Sequence, residues 1–143
     1  MRLNSYIIRL YKKASTNPRK YIFIPLTVYW IILFILTTYP SRSLPTLATS
    51  DKLKHFVAYM ILTLLLRLAF HFHTTMKQRF RTELPVVIGI IVFYGLFDEI
   101  HQYFIPGRYF ELLDLAANYI GLLVGIVLAS YFIKIGSRRL NSG

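Results

Sequence analysis

Three pairs of polar residues in this sequence place acidic, imidazole and amide side chains four positions apart. The pairs are Asp51 with His55, Asp98 with Gln102, and Asp114 with Asn118. Residues four apart lie on the same face of a helix, so each pair would present two polar groups side by side. Such groups can transfer protons, bind a polar ligand or hold a metal ion.

Each of these chemistries has its own candidate residues. For catalysis, His55 is the candidate general base, with Asp51 or Asp114 orienting it and Asp98 nearby. For binding a phosphate or carboxylate headgroup, the candidates are Lys52, Tyr59, Glu99, Gln102, Arg108, Asp114 and Asn118. For a divalent metal ion, the hard ligands would be Asp51, His55, Asp98, Glu99 and Asp114. No GxSxG or HExxH pattern selects one of these chemistries.

Four apolar segments must position these residues. Residues 21–39 form an uncharged stretch that would be about 28 Å long as a helix, which matches the bilayer core. Similar segments are expected at about 51–72, 84–104 and 114–134. The second and third contain charges, so they could instead be re-entrant or interfacial helices. Short connections favour a four-helix transmembrane bundle, and Arg67 would then extend from the second span to the headgroups.

Composition supports a membrane protein over the soluble classes. The chain has 143 residues, of which 55% are hydrophobic, and its mean hydropathy is +0.49. A soluble domain of this length could not bury so much apolar surface. The absence of cysteine excludes a disulfide scaffold and a thiolate site. The net charge of +11 could suggest nucleic acid, but the basic residues are spread over short flanks of the spans, so no nucleic-acid partner is expected.

The distribution of basic residues predicts the topology. Of the 17 lysines and arginines, 12 fall in residues 1–20, in the loop after the second span and after the fourth span. The positive-inside rule therefore places both termini in the cytoplasm and the loops 40–54 and 105–113 outside. We divide the chain into a basic segment 1–20, a membrane domain 21–135 and a basic tail 136–143. Residues 3–14 would form an amphipathic interfacial helix or a solvated tail, and His71 and His73 would be exposed without a role.

The predicted topology brings the three polar pairs to the outer end of the bundle. Ionisable groups are costly at membrane depth unless they are paired or hydrated, so we expect an outward-facing polar pocket. The loop Pro106-Gly107-Arg108 could bring Arg108 over this pocket, or form a tight turn with Arg108 paired to Glu111 or Asp114. The fourth span carries small residues every four positions, a pattern of close helix packing, at Ala117, Gly121, Gly125 and Ala129.

Taken in order, these motifs resemble the VanZ-like family of small bacterial membrane proteins over about residues 20–135. The series that carries the resemblance is Asp51-Lys52, His55, Tyr59, Asp98-Glu99, Gln102, Pro106-Gly107-Arg108, Asp114, Asn118 and Gly121. The resemblance implies a four-helix protein of the bacterial cytoplasmic membrane. It also implies a link with resistance to the glycopeptide antibiotic teicoplanin, without an established mechanism.

The leading functional hypothesis is an envelope protein whose pocket binds the anionic headgroup of a phospholipid or of a lipid-linked cell-wall precursor. A membrane enzyme that acts on such a headgroup, with His55 as base, is the second hypothesis. The third is a structural subunit that docks on another membrane protein, or on a second copy of itself, through the small-residue stripe. The sequence leaves the identity of the ligand and any metal cofactor open.

Overall fold

A computed structural model describes residues 2–40, 51–73 and 79–140, with side-chain surroundings for residues 5–40, 51–73 and 83–138. Every regular element in these residues is helical. Helix α1 spans Arg2–Thr16, and a π-helical turn at Arg19–Phe23 leads into α2, Ile24–Thr38. Three longer helices follow: α3, Asp51–His73; α4, Arg79–Tyr103; and α5, Leu112–Leu140. Arg42 and Lys77, two basic residues of the topology prediction, lie outside the described residues.

Four helices are long and apolar enough to cross a bilayer. They cover Arg19–Thr38, Asp51–His73, Glu83–Tyr103 and Leu112–Arg138. The four-helix architecture predicted from the sequence is therefore confirmed, and the two charged segments form full-length helices rather than re-entrant ones. Helix α5 continues to Leu140, so the expected boundary at residue 135 does not end the helix.

The bundle is built around α3, which buries residues along its whole length. Its most extensive partner is α5. Gly121 and Gly125 of α5 allow this close approach, since a Cβ atom at either position would come within 3.0 Å of the backbone of Phe56 or Met60. The small-residue stripe predicted for helix packing thus forms an interface within the chain.

Helix α2 has a different environment, because it buries only Leu26 and Leu33. Its exposed apolar side chains include Val28, Ile31 and Phe34. A helix that is apolar all round with most of its surface uncovered is typical of contact with lipid tails. These exposed residues support a membrane environment for α2.

Helix α1 forms at the expected place and is docked on the bundle. Tyr11 and Ala14 are buried, and the Tyr11 ring packs so closely on Gly136 of α5 that a Cβ there would overlap it. The Tyr11 hydroxyl lies 3.0 Å from His71 Nε2. The prediction that His71 is an exposed residue without a role is wrong, because it is buried in α3 and contacts α1; His73 is exposed, as expected.

Arg67 is also placed differently from the prediction. Instead of extending to the headgroups, its side chain is buried between helices, and Nη1 lies 2.6 Å from Glu83 Oε2. The partner comes from the start of α4, on the far side of the loop that joins α3 to α4. A charge at this depth is retained because an opposite charge neutralises it.

Candidate functional site

The three polar pairs meet at the end of the bundle opposite α1. The start of α3 contributes Asp51 and His55, the end of α4 contributes Asp98, and the start of α5 contributes Asp114. Helices α3 and α5 begin at this end and α4 ends there, so the polar residues come to one level because each motif lies within about two turns of its helix end. The predicted convergence is present, and it divides into two groups that share His55.

The first group surrounds a cavity of about 330 Å³. One wall is apolar and comes from Leu33, Leu36 and Ala58. The rest of the lining is polar or aromatic and comprises Thr37, Asp51, Lys54, His55, Tyr59, Tyr94, Asp98 and Arg108. The cavity therefore combines a hydrocarbon surface with charged and hydrogen-bonding groups, and its volume lies within the range of small-molecule sites.

A hydrogen-bonded chain fixes the polar wall of this cavity. The Tyr59 hydroxyl donates to Asp98 Oδ2 at 3.2 Å, and Gln102 Nε2 lies 3.4 Å from the same oxygen. Gln102 Oε1 in turn accepts a bond of 2.7 Å from Arg108 Nη1. Asp98 and Gln102 are both buried. This series of hydrogen bonds connects α3, α4 and the loop after α4. The side chains are therefore held together as one preorganised unit.

Arg108 is held over the cavity by neutral oxygen atoms. Nε donates to the carbonyl of Tyr39 at 3.1 Å, and Nη2 donates to the carbonyl of Leu36 at 3.0 Å. The loop reaches this position through Gly107, whose φ of 79° favours glycine. The tight turn and the approach of Arg108 to the pocket thus occur together, with Gln102 as its side-chain partner instead of Glu111 or Asp114.

The second group is buried between α3, α4 and α5. His55 Nδ1 lies 3.0 Å from Asn118 Oδ1 and 3.6 Å from Glu99 Oε1. On the other side of the ring, His55 Nε2 is 3.9 Å from Asp114 Oδ2. Asn118 and Glu99 are fully buried. Two acceptors beside Nδ1 favour a proton on that nitrogen, which leaves the lone pair of Nε2 directed towards Asp114.

Lys52 closes the second group. Its Nζ forms ion pairs with Glu111 and, at 3.2 Å, with Asp114 Oδ1. The backbone N–H of Glu111 also lies 3.4 Å from Glu99 Oε2. The Lys52 pairs connect the start of α5 to the first turn of α3, and the Glu111 contact connects it to α4. Lys52 therefore belongs to an ion-pair network beside the cavity and does not line it.

The sequence predicted a single pocket, and the structure places its members in two adjoining environments. Within the cavity lie Asp51, His55, Tyr59, Asp98 and Arg108, while the second group contains the buried residues Glu99, Asp114 and Asn118, with Lys52 at its exposed edge. Gln102 belongs to the first group through its bonds to Asp98 and Arg108.

Sequence reasoning missed several residues that line the cavity. Lys54 forms an ion pair of 3.2 Å with Asp51, and Tyr94 precedes Asp98 by four residues. The helical spacing could have identified Tyr94 as a member of the same face. Leu33, Leu36 and Thr37 of α2 carried no such signal, because they belong to a uniformly apolar span.

Only part of the candidate metal-ligand set is assembled. Among the described residues, ligand atoms of Asp51, His55 and Asp114 lie within 4.8 Å of one another. Asp98 and Glu99 are outside this group of three, although both were candidate ligands. One imidazole and two carboxylates can bind a divalent ion of the first transition series.

Four spanning helices with a polar cavity at one end define a multi-pass integral membrane protein. The chain belongs to the VanZ/LLP1 family, which matches residues 8–134. This result confirms the family resemblance derived from the motifs and extends it to α1.

A relative from the yeast Schizosaccharomyces pombe, described only as an uncharacterized protein, is 31% identical over 115 residues. The match covers 78% of this chain and 64% of the relative, so the chain spans less than two thirds of that protein's length. No solved structure matches the chain. Because the relative is eukaryotic, the bacterial membrane stays a prediction, as does the link with teicoplanin resistance.

Proposed function

We propose that this VanZ/LLP1 protein binds the anionic, phosphate-bearing headgroup of a membrane lipid or of a lipid-linked cell-wall precursor in the cavity of about 330 Å³. The cavity is itself amphiphilic: Leu33 and Leu36 would contact the start of an acyl or prenyl chain, and Lys54 and Arg108 would contact the phosphate. A teicoplanin phenotype would then be a consequence of binding the precursor.

One observation carries this proposal most directly. The guanidinium of Arg108 lines the cavity, and its three described hydrogen bonds go to uncharged oxygens of Leu36, Tyr39 and Gln102. Among the described residues, it forms no ion pair with a carboxylate. A preorganised arginine that has no carboxylate in direct contact favours an anionic ligand, and phosphate suits its planar set of donors.

Arg108→Gln is expected to weaken retention of phosphatidylglycerol by the purified protein about tenfold or more, because a charge-assisted hydrogen bond contributes roughly 1.5–3 kcal/mol. Native mass spectrometry with phosphatidylglycerol and phosphatidylcholine in competition measures the effect. Arg108→Lys should restore part of the preference, since it retains the charge.

Arg138→Gln supplies the matched control, because this exposed arginine lies at the other end of α5 and its loss changes the net charge equally. Equal retention by Arg108→Gln and the unsubstituted protein would contradict the proposal. The same holds if phosphatidylcholine is retained as well as phosphatidylglycerol.

We also propose that the cavity faces the outside and that both termini are cytoplasmic, as the distribution of basic residues indicates. The chain has no cysteine, so single engineered cysteines can be labelled without background. A membrane-impermeant maleimide should label Tyr109→Cys in intact cells, because Tyr109 is exposed in the loop before α5. Ser15→Cys, on an exposed position of α1, should react only after permeabilisation. The reverse pattern would contradict this orientation.

A catalytic function at the same cavity is the second candidate, and the orientation of His55 favours it. His55 lines the cavity, and its contact with Asn118 through Nδ1 fixes the ring, so Nε2 is the nitrogen that could act as a base. The retained lipids distinguish catalysis from binding. Catalysis requires a product that accumulates with the unsubstituted protein and not with His55→Gln, whereas binding alone leaves the lipid unchanged.

A further inference from the structure

We infer that His55, Asp51 and Asp114 form a binding site for one divalent transition-metal ion of the Mn²⁺ or Zn²⁺ class at the floor of the cavity. The site lies where α3 and α5 begin. Ligand atoms of the three residues fall within 4.8 Å of one another. An imidazole nitrogen with two carboxylates favours these ions over Mg²⁺ and Ca²⁺, which prefer oxygen ligands alone.

The distance between His55 and Asp114 fits two ligands of one ion. Nε2 and Oδ2 are 3.9 Å apart, which is too long for a hydrogen bond. Two ligands that each lie about 2.0–2.2 Å from a shared ion are separated by roughly 3–4 Å at tetrahedral or wider angles. The gap between these two buried side chains therefore has the size that an ion would occupy.

The surroundings of His55 supply a second and independent observation. Metal-binding histidines commonly donate their other ring N–H to a carbonyl or carboxylate, which fixes the ring and its tautomer. His55 Nδ1 has both kinds of acceptor, Asn118 Oδ1 at 3.0 Å and Glu99 Oε1 at 3.6 Å. Glu99 is fully buried, and its Oε1 has no hydrogen bond within the described part of the chain. This carboxylate is thus directed at the ring that would bind the ion.

The remaining two ligands can accommodate an ion without rebuilding the bundle. Asp114 uses Oδ1 for its ion pair with Lys52, and Oδ2 faces His55. The Asp51 side chain is 59% exposed and paired with Lys54, so it can rotate towards the ion at small cost. Asp51 and His55 both line the cavity, which gives an ion a route to the site.

Charge balance at this end of the bundle also favours a cation. The described residues here include five carboxylates (Asp51, Asp98, Glu99, Glu111 and Asp114) and three basic side chains (Lys52, Lys54 and Arg108). The carboxylates thus outnumber the basic side chains by two. A divalent ion would offset this excess, and it could bridge the carboxylates to a bound phosphate; this bridging role, unlike the ion site itself, rests on the proposed function.

Titration of the full-length protein with Mn²⁺, in detergent without added lipid, tests the site. Electron paramagnetic resonance should show one bound Mn²⁺ per chain with coupling to an imidazole nitrogen. His55→Gln should remove the nitrogen coupling. Asp51→Asn changes a proposed ligand. It should therefore weaken Mn²⁺ binding by at least the roughly 10- to 100-fold that is typical when a residue supporting a ligand is replaced. Because Asp51 is largely exposed, this variant should fold normally.

Asp98→Asn is the electrostatic control, since it removes an equal charge from the cavity wall without removing a ligand. Its affinity for Mn²⁺ should fall clearly less than that of Asp51→Asn, because only a nearby charge is lost and no ligand is removed. No stoichiometric Mn²⁺, no nitrogen coupling, or equal losses in Asp51→Asn and Asp98→Asn would overturn the inference. If Mn²⁺ does not bind but lipid retention is normal in EDTA, the ion site is wrong and the headgroup proposal stands. If Mn²⁺ binds normally but the protein shows no lipid selectivity, the ion site stands and the headgroup proposal is wrong.

Discussion

Glu83→Gln is expected to destabilise the folded protein by about 3–5 kcal/mol, the cost typical of removing one partner from a buried ion pair. The side chains of Arg67 and Glu83 are only 9% and 2% exposed, and their charged atoms are 2.6 Å apart. Glutamine preserves the shape of the side chain and removes its charge, so Arg67 would keep a buried positive charge without its counter-ion. The midpoint of unfolding in mixed detergent micelles, with SDS as denaturant, measures the loss.

The pair formed by Asp51 and Lys54 provides the comparison, because it contains the same kinds of charge in an exposed position. Asp51→Asn should change stability by no more than about 0–1 kcal/mol, as for surface ion pairs. Replacing Arg67 and Glu83 together by leucine should recover much of the stability lost in Glu83→Gln, since neither charge remains to be buried. A midpoint for Glu83→Gln equal to that of Asp51→Asn would show that the pair is not a stabilising contact.

The position of Arg67 illustrates a limit of the sequence prediction. Hydrophobic length identified all four spans within a few residues, because a membrane helix must satisfy its backbone internally and cover the bilayer core. The same reasoning treated a charge within a span as a side chain that extends to the headgroups. Its partner is 16 residues away, and only the packing of α3 against α4 brings the two together. His71 was misplaced for the same reason, since its partner Tyr11 belongs to α1.

The candidate site shows the same division between local and long-range information. Helical spacing correctly grouped Asp51 with His55 and Asp98 with Gln102, since each pair lies within one helix. Spacing could not show that α2 would supply the apolar wall, or that Lys52 would face α5 while Lys54 faced the cavity. Those outcomes depend on how each helix is rotated about its axis. Gly121 and Gly125 of α5 contribute to the fit with α3, because they allow its backbone to approach closely.

Gly121→Ala is accordingly expected to destabilise the protein by about 1–3 kcal/mol, the usual cost of overpacking a close contact. A Cβ at this position would lie within 3.0 Å of the backbone oxygen of Phe56 and the backbone nitrogen of Met60. Backbone atoms cannot move aside as a flexible side chain can, so α3 and α5 would have to separate. The separation would also move His55 of α3 away from Asn118 of α5. The hydrogen bond between these two side chains joins the helices one turn from Gly121.

Gly89→Ala separates this effect from the higher helix propensity of alanine. Gly89 lies in α4, and a Cβ there would meet no atom within 4 Å among the described residues. The same substitution should therefore be neutral or stabilising by up to about 1 kcal/mol. The unfolding midpoint of each variant is measured in mixed micelles. The difference between the two midpoints gives the loss of stability that is specific to the contact between α3 and α5. If Gly121→Ala were as stable as Gly89→Ala, close packing of these two helices could not be what holds the polar end together.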